Sequence, residues 1–129
     1  MSDSGAKVLL VEDDRFLRKA ADATLRQAGF RVVLAIDGEE ALRQARAEHP
    51  DIILLDVIMP KLQGFEVLRE LKADATTKDI PVIVLSNLGQ ESDTVRAMEA
   101  GAVEYVVKAS LSLQELVKKV QDTLSKARG

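Results

Sequence analysis

The sequence predicts an α/β fold in which helices cover both faces of one doubly wound parallel sheet. Short, β-branched apolar runs alternate with longer amphipathic segments, which gives the order βαβαβαβαβα. The runs are continuously apolar, as is typical of strands that are buried on both faces. Strand–helix–strand units of this size need right-handed crossovers, and these produce a parallel sheet between two helical layers.

Five apolar runs are predicted as strands. They are Val8–Val11, Val32–Ile36, Ile52–Leu55, Val82–Leu85 and Tyr105–Val107. All of them are far too short to cross a bilayer, and the first residues lack the basic and apolar regions of a signal peptide. We therefore expect a cytoplasmic protein that does not enter a membrane.

The amphipathic segments are predicted as helices. They are Asp14–Ala28, Gly38–Glu48, about Gln63–Ala73, about Glu91–Ala100 and Leu113–Lys126. Gly29 and Gly101 are typical helix stops after the first and fourth of these. Asp37 is predicted to cap the second helix, which ends before Pro50, and His49 is interpreted as a surface residue at that end.

The composition fits one compact domain over residues 1–129. The chain is 47% hydrophobic and 30% charged, with a net charge of −3 at pH 7. Basic residues form no run and aromatic residues make up 3%, so we expect no direct binding of nucleic acid. Because cysteine is absent, disulfides, thiolate metal sites and cysteine nucleophiles are excluded.

Polar residues that can carry chemistry follow four of the predicted strands. Glu12 and Asp13 follow the first strand, Asp56 the third, Ser86 the fourth and Lys108 the fifth. In open α/β sheets, ligands bind beyond the carboxyl ends of the strands, near the point where the strand order reverses. We therefore expect these side chains to meet at one edge of the sheet.

Such a group favours a hard cation and phosphoryl transfer. Close carboxylates repel one another unless a cation joins them, and Mg²⁺ prefers carboxylates together with water and phosphate oxygens. A site with Mg²⁺, a carboxylate, a lysine and a hydroxyl favours phosphoryl transfer, with Asp56 as the nucleophile.

Each residue also has a purely structural interpretation. Asp13 or Asp14 could cap the first helix, and Asp56 could be an acid in a loop. Ser86 could be a turn residue and Lys108 a solvated surface lysine. We favour the functional interpretation because all of these residue types directly follow different strands.

Four stretches of the chain resemble the signature motifs of bacterial response-regulator receiver domains. They are Val8–Asp14, Asp56–Pro60 with Gly64, Val84–Ser86 and Gly101–Lys108. They occur in the family's order, and the resemblance covers about residues 7–126. It implies a single receiver domain with a flavodoxin-like sheet of order 2-1-3-4-5, flanked by five helices.

The resemblance also implies a metal and phosphoacceptor site. Asp56 resembles the phosphoacceptor, and Glu12 and Asp13 resemble the family's acid pair. Asp13 would bind Mg²⁺ directly and Glu12 would bind it through water. The backbone carbonyl of Ile58 would be a further ligand.

Three other positions match residues that respond to the phosphoryl group in this family. Ser86 would hydrogen-bond the phosphoryl group and Lys108 would pair with it. Tyr105 resembles the aromatic residue that turns inward when the hydroxyl residue is drawn to the phosphate. The alternative for Tyr105 is a rim position, packed on the fifth strand.

The chain departs from the family pattern after Lys108. Family members usually have a proline there, in a cis peptide bond, whereas this chain has Ala109. A cis bond costs roughly 2.5–4 kcal/mol before other residues, against about 0.5–1 kcal/mol before proline. We therefore predict a trans Lys108–Ala109 bond and a reshaped loop before Leu113.

Asn87, Leu88 and Ala109 are expected to modulate the site. Asn87 stands where the family usually has a small residue, so its amide could crowd or contact the phosphoryl group. Ile58 and Leu88 flank the path of a water attacking the acyl phosphate, and neither can orient that water. We therefore expect slow self-dephosphorylation.

The resemblance implies a phosphoacceptor switch in a two-component system. A sensor histidine kinase or a phosphotransfer protein would donate the phosphoryl group, and the domain would catalyse the transfer to itself without acting on an external substrate. The surface formed by the fourth helix, fifth strand and fifth helix would then change its preferred partner. The sequence does not identify the downstream protein or output domain.

Three other functions compete with this one. A phosphohydrolase of the haloacid-dehalogenase type needs a second acid two residues after its nucleophile, where this chain has Ile58. A flavodoxin-type cofactor carrier needs a glycine- or hydroxyl-rich loop after the first strand, where Glu12–Asp14 would repel a flavin phosphate. A receiver-like scaffold that binds partners without being phosphorylated stays open because of Ala109.

Overall fold

The computed structural model describes residues 5–56, 64–86, 91–108 and 111–128. Within these ranges, five strands alternate with five helices. The elements are β1 (Lys7–Val11), α1 (Arg15–Gln27), β2 (Arg31–Ala35), α2 (Gly38–Glu48), β3 (Ile52–Asp56), α3 (Gly64–Ala73), β4 (Val82–Ser86), α4 (Glu91–Glu99), β5 (Glu104–Val107) and α5 (Leu113–Arg128). Every predicted strand and helix is present.

The five strands form one parallel sheet in the order β2-β1-β3-β4-β5. In the middle of the sheet, Val8 of β1 lies opposite Val32 of β2 on one side and Ile52 of β3 on the other. The chain moves outward from β1 to β2 and then returns to β3, on the far side of β1. The strand order therefore reverses between β1 and β3, as the 2-1-3-4-5 order requires.

Two apolar layers hold the helices against the sheet. The layer under α2, α3 and α4 contains Leu9, Val11, Ala41, Ala45, Ile53, Leu55, Leu68, Leu71, Val82, Val84 and Ala97. The layer under α1 and α5 contains Val8, Leu10, Ala21, Leu25, Ile52, Leu54, Ile83, Leu85, Leu116, Val120 and Leu124. All residues of β3 and β4 are buried, which confirms that these strands are covered on both faces.

The second strand was predicted one residue too far along the chain, and the ends of the other strands differ from the prediction by at most one residue. Ile36 was expected at the end of the second strand, but β2 ends at Ala35 and Ile36 is 49% exposed. Its N–H donates at 2.9 Å to the carboxylate of Glu40 in the first turn of α2, so Ile36 lies in the loop before that helix and not in the sheet. An apolar side chain directly after a strand gives no signal of this change in hydrogen bonding.

Asp14, and not its neighbour Asp13, caps the first helix. The carboxylate of Asp14 accepts hydrogen bonds from the N–H groups of Phe16 at 2.9 Å and Leu17 at 3.1 Å, which makes Asp14 the N-cap of α1. Asp37 caps α2 in the same way, as the sequence predicts. Asp13 is left at the carboxyl edge of β1 without a capping role.

The carboxylate of Asp74 stabilises the loop after α3 through hydrogen bonds. It accepts hydrogen bonds from the hydroxyl of Thr76 at 2.7 Å, from Arg46 at 2.8 Å and from the N–H of Thr76 at 2.8 Å. In that order, these contacts lower the pKa of Asp74 from 3.8 to about 2. The ionised carboxylate thus ties α2 to the segment between α3 and β4.

We expect the Asp74→Asn variant to be less stable than the wild type above about pH 4. Because the folded-state pKa of Asp74 is lowered, its stabilising effect is fully present above 3.8 and is lost as the pH falls towards 2. Urea unfolding across this range should show the two proteins converging in acid. Asp122→Asn, on the exposed face of α5, matches the change in net charge, and a similar convergence there would contradict a specific role of Asp74.

In the part of the chain that the structure describes, every helix lacks the combination of length and apolar character that a membrane span requires.

Candidate active site

Three carboxylates from two neighbouring strands converge at the carboxyl edge of the sheet. Glu12 and Asp13 directly follow β1, and Asp56 is the last residue of β3. One oxygen of each carboxylate lies within 4.8 Å of the others. Glu12 is 1% and Asp56 2% exposed, whereas Asp13 faces solvent. The acid cluster therefore sits where the strand order reverses, as expected.

Lys108 bridges two of the three acids. It directly follows β5, and its Nζ donates to Oε1 of Glu12 at 2.7 Å and to Oδ2 of Asp56 at 2.9 Å. Its side chain is 14% exposed, so these contacts are largely shielded from water. The structure thus brings the lysine to the carboxylates, and a solvated surface position for Lys108 is excluded.

The pKa values of Glu12 and Lys108 are both raised by their surroundings. Burial, together with the neighbouring carboxylate of Asp56, raises the pKa of Glu12 from 4.5 to about 7, although the hydrogen bond from Lys108 acts in the opposite direction. Burial also opposes the charged form of Lys108, but the hydrogen bonds and charges of Glu12 and Asp56 outweigh it and raise the pKa of Lys108. Lys108 therefore stays charged near neutral pH, where Glu12 can take up a proton.

The loop that carries the acid pair is fixed through its backbone. The N–H of Glu12 donates to the carbonyl of Ala35 at 3.0 Å, which extends the β1–β2 pairing by one residue. The N–H of Asp14 donates to Oε2 of Glu12 at 3.1 Å. Arg18 donates to the carbonyl oxygens of Glu12 and Asp13. The sequence motifs did not single out Arg18, since contacts to main-chain carbonyls leave no residue pattern.

Two further predicted residues lie on the strands beside the acids. Ser86 is the last residue of β4 and is fully buried, one position beyond Leu85, which lies opposite Asp56. Tyr105 lies in β5 opposite Val84 and packs, half-buried, against the apolar layer under α2, α3 and α4. Ser86 is thus placed at the same edge as the carboxylates.

Four predicted site residues lie outside the described ranges. They are Ile58, Asn87, Leu88 and Ala109. The carbonyl ligand, the neighbours of the phosphoryl group and the geometry of the Lys108–Ala109 bond stay predictions.

Comparison with known proteins identifies the family of this fold and site. The family model described as the response regulator receiver domain matches residues 8–121. The chain belongs to this family. It is therefore a receiver domain of the kind found in two-component systems, as the four motifs predicted.

The chain matches about half the length of a curated relative. The chain is 42% identical over 118 residues to the protein named "Probable transcriptional regulator ycf27" from Cyanophora paradoxa. The match covers 92% of this chain and 48% of that protein. The receiver domain thus spans about half the length of this relative.

Solved receiver domains have the same architecture. The receiver domain of Francisella response regulator 1452 has a TM-score of 0.86 and 29% identity, covering 97% of this chain and 100% of that one. The receiver domain of a Pseudomonas aeruginosa sensor histidine kinase has a TM-score of 0.85 and 32% identity, covering 95% and 99%. That domain was crystallised with a magnesium ion coordinated in its active site cleft.

Proposed function

We propose that this receiver domain is a phosphoacceptor switch in which Asp56 accepts a phosphoryl group in a Mg²⁺-dependent reaction. One observation carries the proposal: the ammonium of Lys108 bridges Glu12 and the buried Asp56 within a cluster of three carboxylates. A buried carboxylate beside a fixed cation, at the ligand-binding edge of an α/β sheet, suits nucleophilic attack on phosphorus.

The residues of the cluster fit Mg²⁺. Glu12, Asp13 and Asp56 offer only oxygen ligands, and within the described residues Lys108 alone pairs with them, which leaves an excess of negative charge there. Together with the carbonyl that we predict for Ile58, they would hold the ion, which would neutralise charge on the transferring phosphoryl oxygens. The magnesium ion in the Pseudomonas receiver domain supports this choice of metal.

In the chemical step, a new bond forms between a carboxylate oxygen of Asp56 and phosphorus. A carboxylate oxygen of Asp56 attacks the phosphorus atom, and the bond between phosphorus and the donor atom breaks, with its electron pair leaving on the donor. The ammonium of Lys108, 2.9 Å from Oδ2 of Asp56, is placed to stabilise charge that develops on the phosphoryl oxygens.

The conformational response depends on the hydrogen bonds that the phosphoryl group on Asp56 would accept. We propose that the hydroxyl of Ser86 donates to the phosphoryl group and that Lys108 transfers its hydrogen bonds from Glu12 and Asp56 to it. Movement of Ser86 frees space for Tyr105 to turn inward. The shift of β4 and β5 would bias the surface of α4, β5 and α5 between two states and so change its partner.

The proposed partners match this chemistry. A sensor histidine kinase or a phosphotransfer protein supplies the phosphoryl group, and no external substrate is turned over. We take residues 1–129 as a single receiver domain, since the described strands form one sheet between two core layers. The curated relative is about twice as long and is named as a transcriptional regulator, which supports an output in gene control.

Intact-mass measurement tests the proposal. The protein is incubated with a small phosphodonor such as acetyl phosphate, with and without Mg²⁺, beside Asp56→Asn and Asp51→Asn. Asp51 is an exposed acid at the other end of β3 and matches the change in charge. We expect a gain of one phosphoryl group in the wild type and Asp51→Asn, only with Mg²⁺, and none in Asp56→Asn.

A gain that survives in Asp56→Asn would contradict the proposal. No gain in any protein, repeated with a phosphorylated histidine-containing phosphotransfer domain as donor, would instead favour the scaffold that binds partners without phosphorylation.

The lifetime of the phosphorylated form is expected to be long. Since the aliphatic side chain of Ile58 cannot orient a water, we expect Ile58→Asn to speed the loss of the phosphoryl group. The decay of phosphorylated protein after removal of the donor measures this rate. Ile58→Val keeps the site apolar and serves as control, and an unchanged decay in Ile58→Asn would refute the idea.

A further inference from the structure

Arg18 contacts the backbone of the acid loop at consecutive residues. It lies in the first turns of α1, half-buried, and its Nη1 donates to the carbonyl oxygens of Glu12 at 3.0 Å and Asp13 at 3.3 Å. Its own N–H donates to the carbonyl of Asp14 at 2.9 Å. One residue of the helix thus holds all three residues of the loop that precedes it.

These contacts fix the two peptide units on either side of the Asp13 Cα atom. The carbonyl of Glu12 belongs to the unit before it and the carbonyl of Asp13 to the unit after it. Each unit is planar, so a hydrogen bond to its oxygen restrains the whole plane. The second plane is also held at its other end, where the N–H of Asp14 donates to the Glu12 carboxylate at 3.1 Å.

Restraint of both planes matters because the Asp13 side chain is exposed. Glu12 and Asp56 are buried and packed, but Asp13 has no such enclosure to direct its carboxylate. Its direction therefore depends on the backbone that carries it. With both flanking planes fixed, the Asp13 Cβ is fixed as well, and one oxygen of its carboxylate lies within 4.8 Å of an oxygen of Glu12 and of Asp56.

We propose that Arg18 is a positioning residue for the metal site, which holds the Asp13 carboxylate towards Glu12 and Asp56. The inference rests on the proposed function, since it assigns Arg18 a task in binding the Mg²⁺ proposed there. Residues that orient metal ligands through hydrogen bonds typically change metal affinity 10- to 100-fold when they are removed.

The charge of Arg18 predicts an effect of the opposite sign. A guanidinium near the acids repels a second cation, so its loss through charge alone would tighten Mg²⁺ binding. Loss of the positioning contacts would weaken it. The direction of the change in affinity therefore separates the two effects.

Calorimetric titration with Mg²⁺ tests the inference on the wild type, Arg18→Gln, Arg18→Lys and Arg15→Gln. Arg15 is the exposed first residue of α1 and provides the matched loss of charge. We expect the Kd of Arg18→Gln to rise about tenfold or more, while that of Arg15→Gln is unchanged or slightly lower. Arg18→Lys keeps a donor that can reach one carbonyl, so its Kd should lie between those of the wild type and Arg18→Gln.

Recovery of the phosphorylation rate at high Mg²⁺ is a second readout. A variant that had lost its structure would not show this recovery. Because the Arg18 side chain donates to the main-chain carbonyl oxygens of Glu12 and Asp13, it acts on the acid loop rather than on the reacting groups. The rate in Arg18→Gln should therefore recover to within a few-fold of the wild type at saturating Mg²⁺. Thermal unfolding checks that each variant is folded. Should Arg18→Gln fail to fold, the same comparison is made with Arg18→Lys alone, for which a Kd above that of the wild type is expected.

Two results would overturn the inference. One is a Kd within about twofold of the wild type in folded Arg18→Gln, or in Arg18→Lys where Arg18→Gln does not fold. The other is an equal weakening in Arg15→Gln. If the wild type itself bound no Mg²⁺, the proposed function would fail together with the inference, and the wild-type titration shows this independently of the variants.

Discussion

Replacing Lys108 with methionine is expected to slow phosphorylation of Asp56 by about 10²- to 10³-fold, the usual cost of removing one fixed donor from a developing negative charge. Lys108 contacts Asp56 at 2.9 Å and is largely shielded from water, so no solvent molecule can take over its role at equal strength. The fold should persist. Glu12, whose pKa is already about 7, can take up a proton when the lysine charge is lost.

The initial rate of phosphorylation at saturating Mg²⁺ and phosphodonor measures this effect. Lys119→Met is the matched control, since Lys119 is a partly exposed lysine of α5 that pairs with Glu104 away from the acid cluster. A rate for Lys108→Met within about threefold of that control would contradict the role of Lys108 in stabilising the transferring group.

Truncation of Leu54 to alanine is expected to lower the free energy of unfolding by about 2–5 kcal/mol. Leu54 lies in the central strand β3, fully buried, between Leu10 of β1 and Ile83 of β4 in the layer under α1 and α5. Neighbours on both sides and a helical layer above leave the chain little freedom to fill the resulting cavity.

Urea unfolding measures this loss. Val95→Ala on α4 is the control, because Val95 is 48% exposed and its truncation should change the free energy of unfolding by less than about 0.5 kcal/mol. A loss for Leu54→Ala no larger than that of the control would contradict the two-layer core.

The architecture was predictable because its physical cause lies in the residue pattern. Apolar runs such as Ile52–Leu55 need cover on both faces, and only crossovers with helices on both sides of the sheet provide it. Local capping chemistry was equally visible at Asp37. The boundary at Ile36 was missed because it depends on a single hydrogen bond to Glu40 rather than on side-chain type.

The sequence predicted which residues form the candidate site better than it predicted the hydrogen bonds between them. The carboxyl ends of parallel strands meet at one edge, so Glu12, Asp13 and Asp56 could be brought together from the sequence. The choice between Asp13 and Asp14 as helix cap needed the backbone geometry of the loop. Arg18 could not be found, since an arginine that donates to main-chain carbonyls looks the same in sequence as a solvated one.

The most direct test of the central claim, that Asp56 is the phosphoacceptor, is to locate the phosphoryl group in the chain. After incubation with Mg²⁺ and acetyl phosphate, borohydride reduces an acyl phosphate to an alcohol, and peptide mapping identifies the reduced residue. Modification at Asp56 alone, dependent on Mg²⁺, is the predicted result. Modification at Asp13 or Glu12 instead of Asp56 would contradict the claim.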